Sequence, residues 1–99
     1  MDSLCGENST KKILVIHPND PTTDMLCAVY QNLTEATIVR GGVHIEHVET
    51  LIQEHDRIIM MGHGDPNGLF SVGEFMGGAR VIDSNTARLL KNKECVFIW

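Results

Sequence analysis

Arg57-Ile58-Ile59-Met60-Met61-Gly62-His63-Gly64-Asp65 is the stretch on which the fold turns. Ile58 to Met61 are apolar without a break. A short run of this kind, lacking period-two alternation, reads as a strand buried on both faces, as in a parallel sheet covered on two sides. The run leads straight into a histidine between two glycines. In open α/β sheets, ligands and chemistry gather at the carboxyl ends of the strands. An imidazole placed there, with nothing bulky beside it, reads as a working group. The competing reading is a histidine that merely closes a strand in a glycine-rich turn.

Working outward, Ile13-Leu14-Val15-Ile16 is another continuous apolar run, closed by His17-Pro18-Asn19-Asp20-Pro21. The two prolines forbid helix until that turn is finished. Thr22 or Thr23 then caps a helix with Asp24 in its first turn, and Leu26, Val29, Tyr30 and Leu33 fall on one face. Ala36 to Arg40 is a short strand ended by Gly41-Gly42. Ile45, Val48, Leu51 and Ile52 mark an amphipathic helix reaching His55. After the strand from Arg57 to Met61, Leu69-Phe70 and Val81-Ile82 can pair as a small hairpin. Asp83 or Ser84 caps a short helix through Leu90, and Cys95 to Trp99 is a fourth buried-strand pattern. The order β-α-β-α-β-hairpin-α-β predicts a three-layer α/β sandwich with a mainly parallel sheet, strand order 2-1-3-4, and right-handed crossovers. Residues 1–11 read as a loose polar tail and 12–99 as the domain. Because the last apolar residue of a core strand is also the last of the sequence, we expect a fragment of a larger domain.

Bulk composition excludes several classes. The chain has 99 residues, 42% of them hydrophobic and 21% charged, which is ordinary for one small globular domain. Its net charge of −5, with basic residues scattered singly apart from Lys11-Lys12, offers no footprint for nucleic acid or an anionic membrane. No stretch is apolar for long enough to be a signal peptide or a membrane span, so a cytoplasmic protein is expected. Cys5, Cys27 and Cys95 are odd in number and widely spaced, which predicts reduced thiols without a disulfide framework or structural zinc.

Other constellations are weaker. Gly62, Gly64 and Gly68 have the wrong spacing, and follow the wrong strand, for a dinucleotide fingerprint. His44 and His47 could hold zinc if a third ligand converged, but they flank an apolar stripe and read as solvent-facing. His55 closes the same helix, where a cation is mildly favourable. His17 ends the first strand at the same rim as His63 and could line a pocket, although a loop histidine is the default. Asp65-Pro66-Asn67-Gly68 is turn chemistry. His63 and Asp65 alone do not make a metal site.

Register points to one further place. If the third and fourth strands are neighbours and start level, Ile58 matches Cys95, and the position after Trp99 falls beside His63. A nucleophile there would be within reach of the imidazole.

Met61-Gly62-His63-Gly64, followed by a hairpin with Gly68-Leu69-Phe70, a short helix from Asp83 to Leu90 and the strand Val96-Phe97-Ile98-Trp99, resembles the caspase-like fold of cysteine peptidases. The likeness is closest to the CHAT and gingipain-like branches and runs from Ile13 onward. It implies a catalytic role for His63, which helps activate a thiol and protonates the leaving amine. It also implies an oxyanion-hole role for the Gly64 N–H, where close approach tolerates no Cβ. The nucleophilic cysteine of such proteins follows the fourth strand, so it would come directly after Trp99. Cys95, at the start of that strand, is assigned to the core. The resemblance implies no required cofactor, although some relatives use calcium. It further implies a peptide or protein substrate, and the remainder of the domain as partner. Two other readings stand beside it: a catalytically silent caspase-like scaffold or regulatory module, and a flavodoxin-like or Rossmann-like small-ligand domain.

Overall fold

The computed structural model describes residues 11–99. The tail predicted for 1–11 lies outside the described residues except for Lys11, which ion-pairs with Glu94. In chain order the elements are β1 (Ile13–Ile16), a 3-10 segment (Pro21–Val29), β2 (Thr37–Val39), α1 (Ile45–Glu54) and β3 (Arg57–Met61). They continue with β4 (Gly64–Asp65), β5 (Gly68–Phe70), β6 (Arg80–Ile82), α2 (Ser84–Ala87), a short 3-10 turn (Arg88–Leu90) and β7 (Glu94–Ile98).

Four strands form a parallel sheet in the order β2-β1-β3-β7, which is the predicted 2-1-3-4 arrangement. Continuous apolar runs suit its two central strands because each successive side chain meets a different covered face. Leu14, Ile16, Ile58 and Met60 enter one core with Val48 and Ile52 of α1 and with Leu69, Val81 and Ile82 of the hairpin. Val15, Ile59 and Met61 enter the other with Tyr30, flanked by Leu26, Cys27 and Leu33. Burying each large apolar side chain contributes about 1.5–3 kcal/mol relative to leaving it in water.

The hairpin is larger than expected. β5 pairs antiparallel with β6, as predicted, and also with β4, making a second, three-stranded sheet. Asp83 caps α2 through its side chain, accepting from the N–H groups of Asn85 and Thr86, while the Thr86 hydroxyl oxygen accepts from the Asp83 N–H. This reciprocal box stabilises a very short helix.

One expectation needs correction. The segment after Pro21 is 3-10 and not α-helical, and it is capped by Asp20 instead of Thr22 or Thr23. Its inward face is Thr23, Leu26, Cys27 and Tyr30, while Val29 is 49% exposed. The shift follows from anchorage, because Thr23 and Tyr30 both bond His17. The fourth strand forms where predicted, pairing with β3, and its outer side chains lack cover in this chain: Val96, Phe97 and Trp99 are 43%, 55% and 39% exposed. Among the described residues β7 pairs only with β3, which puts it at the edge of this sheet. Among the described residues, no helix is long and apolar enough to cross a membrane.

Candidate functional site

Gly62 begins the site. Its φ of +146° lies where side chains are strained, and a Cβ there would sit 3.2 Å from Leu69 Cδ1. The turn carries His63 out of the core to a half-exposed position, while its carbonyl accepts from the Phe70 N–H at 2.8 Å. Gly64 is required for a different reason. A Cβ at Gly64 would collide with the Trp99 ring and the Gly68 carbonyl. Trp99 is held over it by an Nε1–H bond to the Asp65 carbonyl at 3.0 Å.

The imidazole meets the loop that follows β1. His63 Nε2 is 2.6 Å from Thr22 Oγ1 and 3.5 Å from Asp20 Oδ2. Asp20 Oδ1 accepts both the Thr22 N–H and the Thr22 hydroxyl, each at 2.9 Å. Those two bonds, with the nearby His63 a smaller influence, hold the Asp20 carboxyl below the usual range. Since the Thr22 hydroxyl proton goes to an acceptor-only carboxylate, its oxygen receives the proton on His63 Nε2. The relay His63, Thr22, Asp20 therefore assigns hydrogen to Nε2 and leaves Nδ1 as the basic nitrogen. No hydrogen-bond partner of Nδ1 occurs among the described residues.

Trp99 also lines a groove of about 710 Å³, together with Phe97, Leu90, Ala87, Ile82 and Arg80. His63 does not line it. Asp65 and Arg80 neutralise each other at 2.7 Å, and the guanidinium lies 5.1 Å from the Phe70 ring centre. Arg80 holds the Asp65 carboxyl below the usual range. Asp65 also accepts from the Asn67 N–H at 2.9 Å, which is the predicted turn.

The remaining candidates fall elsewhere. Cys95 pairs with Ile58 at the far end of its strand and is half-buried, and burial pushes its thiol up. Cys27 faces Tyr30, with Sγ 3.1 Å from the phenolic oxygen. His44 and His47 are exposed, as predicted, and His44 Nδ1 caps α1 by accepting from the Glu46 N–H. No cluster of three or more metal-ligating residues exists among the described residues. His55 is buried, bonded to the Leu51 carbonyl and the Thr37 hydroxyl. His17 lies in the loop directly after β1, as the default reading has it, but it is fully buried instead of lining a pocket at the rim.

Sequence reading missed Asp20 and Thr22 as partners of His63. The signal was present, because strand order 2-1-3-4 makes the loops after β1 and β3 neighbours. No family model, no curated protein and no solved structure matches this chain.

Proposed function

We propose that this chain is the histidine-bearing half of a caspase-like cysteine peptidase. The observation that supports it most is register. β3 and β7 start level, with Arg57 opposite Glu94, Ile58 opposite Cys95 and Met61 opposite Ile98. The Gly62 N–H continues the ladder to the Ile98 carbonyl at 3.1 Å. Extended by this spacing, a residue following Trp99 comes level with His63. A cysteine there would give its thiol proton to Nδ1 and attack the scissile carbonyl as thiolate. The imidazolium, held by Thr22 and Asp20, would return that proton to the departing amine. The Gly64 N–H would face the oxyanion.

The test is peptide sequencing across Trp99 in the polypeptide purified from its source, followed by cleavage assays on fluorogenic peptides. Expected are a cysteine at that position and cleavage that is lost on alkylation and in His63→Ala, with the melting curve kept. Cleavage that survives His63→Ala overturns the role of His63. A catalytically silent scaffold is the second reading. A residue other than cysteine after Trp99 selects it.

A further inference from the structure

We propose that His17 is the positioning residue of the His63 site, clamping the Pro18–Thr23 turn from inside and thereby setting how Thr22 and Asp20 hold the His63 imidazole. The inference rests on reading His63 as the site's proton carrier.

The connection is continuous in hydrogen bonds. His17 is fully buried at the end of β1, and both ring nitrogens have partners. Nε2 lies 3.1 Å from the Thr23 carbonyl, which can only accept, so Nε2 carries the hydrogen. Nδ1 then accepts from the Tyr30 hydroxyl at 2.8 Å. Thr23 ties back to Asp20, its N–H and its hydroxyl both donating to the Asp20 carbonyl at 3.0 and 3.2 Å. The Asp20 carboxylate in turn fixes Thr22, whose hydroxyl meets His63. The strand side of the turn is anchored too: Arg40 Nε donates to the His17 carbonyl, and the Asn19 N–H to the Arg40 carbonyl.

The charged and titratable groups around the buried ring are Arg40 and Asp24, which pair with each other at 2.8 Å, together with Tyr30 and Cys27. Burial, and secondarily Arg40, lower the pKa of His17. The ring therefore stays neutral, the form in which Nδ1 accepts and Nε2 donates. A neutral imidazole with two opposite, satisfied partners is a rigid strut, and rigid support is what a proton-transfer group needs.

The test is long-range nitrogen-15 NMR of histidine side chains in the intact chain at about pH 9, well above the range in which histidines ordinarily titrate, comparing wild type with His17→Leu and His17→Gln. Wild-type His63 should show the limiting nitrogen shifts of the Nε2–H form. In His17→Leu the His63 shifts should move to the averaged values of a free imidazole. His17→Gln, whose amide can still donate to the Thr23 carbonyl, should restore them. If His17→Leu does not fold, Tyr30→Phe decides, since it removes the hydrogen bond to Nδ1, frees one side of the ring and keeps the core filled. There the His63 shifts should move part of the way to the averaged values. Unmoved His63 shifts in folded His17→Leu, or in Tyr30→Phe, overturn the proposal. The readout needs no nucleophile, so its failure is separate from failure of the peptidase reading.

Discussion

His17 and His63 follow neighbouring parallel strands at the same rim of one sheet, yet they are opposite kinds of histidine. His17 has no exposed surface, and partners saturate both nitrogens. His63 is half-exposed and, among the described residues, held through Nε2 alone. Rim location thus does not decide whether a histidine is sealed or open; what packs over the ring does. The Pro-rich turn after β1 folds back over His17 and seals it, whereas Gly62 and Gly64 leave the chain around His63 too slim to cover the ring. The two residues are joined through Asp20, Thr22 and Thr23, so the buried one supports the open one.

The largest effect that could break this contrast is on stability. His17→Ala should lower the unfolding free energy by about 2–4 kcal/mol in denaturant titration, since it leaves a cavity and strands the Tyr30 hydroxyl. Gly64→Ala should cost about 1–3 kcal/mol, because the Gly68 carbonyl cannot swing away as the Trp99 ring can. Tyr30→Phe should cost about 1 kcal/mol, one buried hydrogen bond.

The Tyr30 phenol is pushed up to about 12 by burial and by its bond to Cys27, against an ordinary value of 10.0. The unfolded chain loses that proton first, so wild-type stability should fall as pH rises above 10.0, and Tyr30→Phe should lack this slope. His17 acts at the other side of neutrality. Its folded pKa lies below the ordinary 6.5, so the unfolded chain takes up a proton that the folded chain refuses. Stability is full above 6.5, declines as pH falls below it, and stops declining at the lowered folded value. Thermal melts of His17→Gln should show a shallower decline. The smallest effect should be that of His63→Ala, within about 0.5 kcal/mol of wild type. A loss equal to that of His17→Ala would erase the distinction between the two histidines.

Much of the sheet was legible because two-sided burial writes itself as an uninterrupted apolar run, as in Ile13 to Ile16 and Ile58 to Met61. At Val96-Phe97-Ile98 the same signal marked the strand, but an apolar run does not name what covers it. The helix stripe through Leu26 and Leu33 was read with Val29 inward. Thr23 and Cys27 took that face because Thr23 and Tyr30 were recruited to His17, a contact no periodicity contains. At the site, the glycines around His63 announced an open imidazole, and Asp65-Pro66-Asn67 announced its turn.

By itself, then, the sequence determined the parallel sheet and its strand order, the rim position of His63 and a helix cap at Asp83 or Ser84. All of these follow from spacing and local backbone chemistry over a few residues. Only the tertiary structure decided that Asp20 and Thr22 hold His63 Nε2, that Trp99 lies over Gly64, and that His17 is sealed inside. Those outcomes depend on which loops the packed sheet brings together, and a hydrogen bond between residues 41 positions apart leaves no mark in either neighbourhood.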